Sequence, residues 1–338
     1  MIRSNPHAGA RGPWMRIAFQ IAGFLGGVAL LGWCVKQAAS ESNRASLGRL
    51  RETSPADASL LVGLTVLTLL VNGMIFWSAI RPVRRLPISN VLATNAVASF
   101  LSYAPFKLSI LFRFYSHRAI DGVPLLTIGA WFAAVTVGIS AATNPVFFAS
   151  LLRREIDGLW FAAVVGGLVA SHILVCVLTR TFAGDRGMAR LRRLAGYASH
   201  RLAASSIIER VHDGFDMLAN PVWLAVQMTL RATDLFIIAA RLYLCAKILG
   251  VSVSFSESIV YGAFRFAVAT VAPTGAVGTQ EGVTAWIAKV LHAPNAESYA
   301  AILVLMLAVE AAVNLFGAAA GVLWLGPGRL LRSGSPAH

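Results

Sequence analysis

Residues 90–115 read NVLATNAVASFLSYAPFKLSILFRFY, and residues 258–286 read SIVYGAFRFAVATVAPTGAVGTQEGVTAW. Each opens on an apolar run, Val91 to Tyr103 and Ile259 to Ala272, too short for the ~20 residues that cross a bilayer and stopped by a proline. Proline removes a backbone donor and clashes with the preceding turn, so helix breaks are predicted at Pro105 and Pro273. The carbonyls freed there need partners, and irregular backbone is tolerated at membrane depth only when buried in protein or lining a wet cavity. Each stretch therefore reads as a re-entrant helical hairpin, over about 88–122 and 256–292; the alternative is a pair of ordinary spans with proline kinks. Superposing Pro105 on Pro273 aligns Ala104 with Ala272 and Arg113 with Glu281, with little other identity. What the copies share is a pattern: half-span, Ala-Pro break, small or polar residues, then a charge.

Around the hairpins lie six runs of spanning length: Ile17 to Val35, Leu60 to Ile80, Leu125 to Phe148, Leu159 to Leu178, Val222 to Leu249 and Ala300 to Leu325. Composition agrees, with 57% hydrophobic and 13% charged residues, whereas a soluble domain carries about 25% charged. The predicted fold is an all-α polytopic membrane protein of about six transmembrane helices plus two inverted re-entrant hairpins. Its parts are a tail over 1–16, one transmembrane domain over 17–326 and a second tail over 327–338. Three crossings separate the hairpins, so they are expected to enter from opposite faces, the inverted repeat of many transporters.

The net charge of +14 raises nucleic acid as a partner, and the location of the basic residues argues against it. Arg3, Arg11 and Arg16 precede the first run, Arg81, Arg84 and Arg85 follow the second, and Arg180, Arg186, Arg190, Arg192, Arg193, Arg201 and Arg210 fill the longest loop. Lys and Arg concentrate in cytoplasmic loops. Six spans with both termini cytoplasmic put all three groups on that side, leaving Lys36, Arg44, Arg49 and Arg51 outside. Orientation in a bacterial inner membrane and attraction to anionic lipid account for the excess. The first run exceeds the 7–15 residues of a signal core and reads as an uncleaved anchor. Cys34, Cys176 and Cys245 fall inside spans and read as packing residues.

Within the polar loop over about 180–220, Ala204, Ile208, Val211, Phe215 and Leu218 recur at helical spacing, an amphipathic helix that either lies on the leaflet or covers the bundle's end. Asp213 and Asp216 form a DxxD pair with no second acidic motif to complete a metal site. Neither a metal nor a cofactor is expected.

Around the two breaks the chain resembles the transmembrane region of the lysylphosphatidylglycerol synthetase family, the flippase-like domain of the multiple peptide resistance factor. The matching residues are Pro105-Phe106-Lys107 with Arg113, then Pro273-Thr274-Gly275-Ala276-Val277-Gly278 with Glu281. The resemblance covers roughly residues 15 to 326, and it departs at Leu108-Ser109-Ile110, where the family pattern has a Gly-Glu-like pair. It implies movement of a polar lipid between leaflets. With the chain ending at His338 there is no room for the soluble aminoacyltransferase domain, so lysine transfer is not implied.

Ionisable side chains at the bilayer centre normally face a partner or water. Arg113 and Glu281 are expected to meet at the hairpin tips, as a bridge that opens for a phosphate or as a permanent structural pair. Lys107 with Gly275 and Gly278 suggests a phosphate cradle, since glycine lets backbone approach a ligand and restarted helices present free N–H groups; close helix packing is the plainer alternative. Arg231, Asp234 and Arg241 share one helix face, with Arg231 and Asp234 able to pair and Arg241 left seeking a carboxylate, a lipid phosphate or the interface. Glu310, Asn314 and Asn72 are expected to face the interior in structural hydrogen bonds, and Arg265 stands between a groove role and a structural one.

The leading expectation is a translocase of an anionic phospholipid or isoprenoid-phosphate headgroup, with Lys107, Arg113, Arg241 and Arg265 as its basic groups and Glu281 as counter-charge. Its partners would be membrane lipids, a second copy of the chain or a separate lipid-synthesising enzyme. The sequence holds no Gly-x-x-x-x-Gly-Lys-Ser/Thr pattern, so movement would be downhill or coupled to an ion gradient. The rivals are an intramembrane lipid-modifying transferase, disfavoured because His172, the histidine read well inside a span, has no partner in sequence, and a structural scaffold with closed hairpins.

Overall fold

The computed structural model describes residues 12–104, 107–153, 155–199, 205–271, 278–291, 293, 295–326 and 328. Among them are thirteen α-helices and no strand. In chain order these are α1 (Gly12–Ala38), α2 (Glu41–Gly48), α3 (Pro55–Ile80), α4 (Ile88–Leu101), α5 (Leu108–Ala119), α6 (Leu125–Leu152) and α7 (Gly158–Arg180). There follow α8 (Gly184–Ala198), α9 (Ser206–Ala219), α10 (Pro221–Ile248), α11 (Phe255–Val271), α12 (Thr279–Val290) and α13 (Tyr299–Leu325). Five helices are long and apolar enough to cross a membrane: α3, α6, α7, α10 and the segment Ala296–Leu325. The Ile17 to Val35 run lies within the 27 residues of α1.

Local chemistry sets several starts. Ser54 accepts from the Asp57 N–H at 3.0 Å with Pro55 in the first turn of α3, and Asn220 accepts from Val222 and Trp223 N–H groups, both at 3.2 Å, with Pro221 opening α10. These caps satisfy donors that an apolar environment would leave unpaired. Outward faces are apolar: on α7, Leu159, Phe161, Val165, Val169, Ile173 and Val177 are all exposed, the surface of a helix that meets hydrocarbon. Cys34, Cys176 and Cys245 are buried and unbridged.

The two broken stretches form two helix pairs. Helix α4 stops at Leu101 in a tightened turn, with Ser102, Tyr103 and Ala104 N–H groups each bonding three residues back, and α5 restarts from Lys107 in a left-handed conformation (φ 52°). Helix α11 is described as far as Val271, and α12 starts from Gly278 (φ 77°). Pro105, Pro273 and Gly275 lie outside the described residues. Helices of 14, 12, 17 and 12 residues span about 18–26 Å, short of the ~30 Å of hydrocarbon. Rungs run antiparallel between α4 and α5: Asn90 to Asp121 at 3.0 Å, Thr94 to Ser116 at 2.9 Å and Asn95 to Arg113 at 2.6 Å.

Side-chain bonds sort the elements by end. At one end Lys247 meets Asp57 at 2.8 Å, Asn43 donates to the Glu297 carbonyl at 3.3 Å and Asn295 donates to the Ser252 carbonyl at 3.0 Å, so the open base of the α11–α12 pair lies there. At the other, Trp77 donates to the Leu86 carbonyl at 3.1 Å and Thr127 donates to Asp213 at 2.9 Å, beside the open base of the α4–α5 pair.

The polar loop holds two helices where one was expected. Its stripe belongs to α9, whose Ile208 and Leu218 are buried against α6 and α7, so α9 covers the bundle's end; Ala204 lies outside the described residues. Asp213 and Asp216 are tethers: Asp213 takes Thr127, and Asp216 accepts the Gly184 N–H at 2.9 Å.

Small residues let α13 approach α4. A Cβ on Gly321 would lie 2.7 Å from the Ala93 carbonyl oxygen, whereas one on Gly63 would meet nothing within 4 Å. Gly321→Ala is expected to lower stability by about 1–3 kcal/mol through this overpacking. Gly63→Ala should be neutral or stabilising by up to about 1 kcal/mol, both read as thermal midpoints of the detergent-solubilised protein.

Candidate functional site

Four charged residues from four helices form a chain inside the bundle. Arg241 on α10 donates to Glu310 on α13 at 3.0 Å; Arg265 on α11 donates to Glu310 at 3.2 Å and to Glu281 on α12 at 3.2 Å. The other Glu281 oxygen accepts the Gly278 N–H at 3.0 Å, capping α12. Arg241 thus finds a carboxylate and does not reach the interface, its side chain being 1% exposed. Asn314, one turn from Glu310, donates to the Tyr103 hydroxyl at 2.8 Å.

Arg113 stands apart from that chain. One guanidinium nitrogen donates to the Asn95 side-chain carbonyl at 2.6 Å, the Asn95 amide is anchored on the Leu69 carbonyl at 2.9 Å, and the guanidinium lies 4.1 Å from the centre of the Phe76 ring. The residue is 7% exposed, and its buried Nη1 has no hydrogen-bond partner among the described residues.

The expected Arg113–Glu281 bridge is therefore not formed. Matching prolines suggested equivalent positions, but the helices restart at different distances from them. Arg113 lies six residues beyond its cap at Lys107, and Glu281 lies three beyond its cap at Gly278, where the carboxylate folds back on that cap. Of the residues expected to form a phosphate cradle, Lys107 and Gly278 are described and Gly275 is not. Lys107 is exposed at the turn; Gly278 has its N–H on Glu281, and a Cβ there would lie 1.8 Å from the Gly27 carbonyl oxygen of α1. Close helix packing is what Gly278 serves.

Arg113, Arg241 and Glu310 line one cavity of about 310 Å³. The remaining wall mixes neutral polar side chains, Thr65, Thr68 and Asn72 from α3, Ser99 and Ser102 from the end of α4, Ser109 from α5, Gln280 from α12 and Asn314 from α13, with the apolar Leu69, Phe76 and Ala98. Both helix pairs thus contribute to it. Asn72, Ser102, Ser109 and Glu310 are only half-buried, so the cavity is open. Arg265 and Glu281 sit behind Glu310 and support it.

Arg231 and Asp234 pair within α10 as their spacing suggested, each side chain 1% exposed, and the Arg231 guanidinium lies 3.3 Å from the centre of the Phe266 ring. The pair does not line the cavity. Sequence reading missed Asn95, Gln280, Tyr103 and the hub role of Glu310, and it passed over His117, buried with its Nδ1 2.7 Å from Asp121. The four-residue spacing of His117 and Asp121 was a usable signal; the long-range partners had none. Among the described residues no group of three His, Cys, Asp or Glu side chains is placed to hold a metal.

No protein-family model and no curated protein sequence matches the chain, so its chemistry is read from the geometry of the cavity.

A buried ion pair that loses one partner leaves an uncompensated charge, whereas replacing both with apolar groups is close to neutral. Asp234→Ala is expected to destabilise by about 3–5 kcal/mol. The double change Arg231→Met with Asp234→Leu should recover most of that loss in thermal unfolding, which would mark the pair as structural.

Proposed function

We propose that this chain is a flippase-like membrane protein that moves an anionic or polar lipid between leaflets, its headgroup passing through the cavity between the two helix pairs. The observation that carries the reading is Arg113: a buried guanidinium, its Nη1 without a hydrogen-bond partner among the described residues, on a residue that lines a cavity built from both pairs. A charge left in that state at membrane depth calls for an anion. Acyl chains would remain in the bilayer.

In this reading α1 is the sixth crossing, with α3, α6, α7, α10 and α13, and the α4–α5 and α11–α12 pairs are re-entrant hairpins of inverted topology. Supporting it, the bases of the pairs lie at opposite ends of the bundle, and three long helices, α6, α7 and α10, separate them. The Arg-rich helix α8 and the base of α4–α5 would face the cytoplasm, with both termini, in a bacterial inner membrane. A scaffold predicts closed hairpins without a polar cavity between them. An intramembrane transferase would want an acid–base group in the cavity, where the carboxylate present, Glu310, is held by two arginines.

The test is lipid exchange in proteoliposomes carrying a fluorescent phospholipid in both leaflets, read by quenching from outside. The wild-type chain is expected to accelerate exchange, and Arg113→Ala to slow it by about ten-fold or more, the scale of a lost charge-assisted hydrogen bond, while keeping its thermal midpoint. No acceleration by the wild type would sink the function; an unchanged rate for Arg113→Ala would sink the site.

A further inference from the structure

The charges around the cavity do not balance. Arg241 and Arg265 are matched by Glu310 and Glu281 in one connected chain. Arg231 is matched by Asp234. The other buried carboxylate beside α5, Asp121, sits two turns beyond Arg113 and is held by His117 at 2.7 Å and Asn90 at 3.0 Å. Neither His117 nor Asp121 lines the cavity. One positive charge, that of Arg113, is left on the wall, where among the described residues the neutral Asn95 carbonyl and the Phe76 ring stabilise it.

Resting on the translocation reading, we infer that the cavity selects a headgroup with a single negative charge, a phosphodiester esterified to a neutral, hydroxyl-bearing group, with Arg113 on the phosphate. The charge follows from the balance: one negative charge neutralises the wall, and a second would face Glu310 without a cation to meet it. The phosphate follows from the guanidinium: Nη2 is on Asn95, Nη1 is unpaired among the described residues, and a small side-chain shift would turn Nη1 to a tetrahedral anion in the cavity that Arg113 lines. The hydroxyl-bearing substituent follows from the remaining wall. Asn72, Ser99, Ser102, Ser109, Gln280 and Asn314 offer neutral donors and acceptors, the pattern that binds a polyol.

Two other headgroup classes fit less well. A primary ammonium seeks a free carboxylate, and Glu310 is already shared by Arg241 and Arg265. A quaternary ammonium seeks an aromatic cage, and among the described residues the ring on this wall, Phe76, is taken by Arg113. The volume, about 310 Å³, holds roughly ten waters at ~30 Å³ each. That is the scale of a headgroup.

The experiment uses the full chain in proteoliposomes with three lipids of identical labelled acyl chains: phosphatidylglycerol, phosphatidylethanolamine and phosphatidic acid. It is run at about pH 8, where a phosphomonoester with second pKa ≈ 6 is doubly ionised. Phosphatidylglycerol is expected to move about ten-fold or more faster than either of the others. Arg113→Gln should abolish that preference, and Glu310→Gln, which adds one net positive charge, should shift it towards phosphatidic acid. Equal acceleration of all three lipids overturns the charge selection while leaving translocation standing.

Because Glu310→Gln can disturb the ion-pair chain, a second measurement stands beside it. Thermal midpoints of the wild type and Arg113→Gln in detergent are compared with dihexanoyl forms of the same lipids, glycerol 3-phosphate and inorganic phosphate. Selective stabilisation of the wild type by the phosphatidylglycerol form supports the inference even if no lipid is translocated. Equal stabilisation by all of the lipids, or by inorganic phosphate alone, overturns it, the latter in favour of a free-anion site.

Discussion

The architecture depends on one constraint: a charge buried away from water must meet a counter-charge or remain very costly. Glu310 satisfies two arginines at once, so α10 and α11 must both be set against α13. Arg265 then requires Glu281, which fixes α12 beside α11. The second Glu281 oxygen caps α12 through the Gly278 N–H, and Gly278 packs on the Gly27 carbonyl, so the start of α12 settles against α1. One line of charges thus ties four consecutive helices, α10 to α13, and the cap it holds at Gly278 packs against α1. Apolar packing alone would hold them with less orientation, because hydrocarbon competes equally for Leu and Val surfaces.

The two helix pairs solve their polar burial differently. Between α4 and α5 the Thr94–Ser116 rung is neutral and the Asn95–Arg113 rung is half-charged. These bonds orient the Arg113 side chain without neutralising it. Between α11 and α12 the Arg265–Glu281 rung is fully ionic. The α4–α5 pair thus brings an unbalanced charge to the cavity, while the balanced rung of α11–α12 lies behind Glu310.

Much of the fold was readable from hydropathy, because twenty-residue apolar runs have few alternative fates. The first break was readable too: α4 ends and α5 begins on either side of Pro105, and in the second stretch α12 begins as a new helix after Gly278. Within one helix, spacing sufficed for Arg231 with Asp234. It failed between helices. The Arg241–Glu310 contact joins residues 69 apart, and no local pattern encodes it. Superposing prolines failed for a more specific reason: the left-handed caps at Lys107 and Gly278 stand at different distances from them, so equal sequence offsets land on different helix faces. The stripe in the polar loop was real but incomplete, since Gly184, at φ 65°, opens a separate helix, α8, ahead of α9.

The departure from the expected bridge bears on mechanism under the translocation reading. Had Arg113 closed on Glu281, Arg265 would lose its second carboxylate and share Glu310 with Arg241, leaving two arginines on one carboxylate. The excess positive charge would then be spread over Arg241 and Arg265 around Glu310. In the observed arrangement it is concentrated on Arg113, another residue of the cavity lining. An anion bound there brings the wall to neutrality, and a neutral complex faces a smaller penalty than a bare charge when it is surrounded by low-dielectric walls. The same imbalance that makes the empty site costly thus lowers the cost of the occupied one, which is the differential interaction a ligand needs in order to shift a conformational equilibrium.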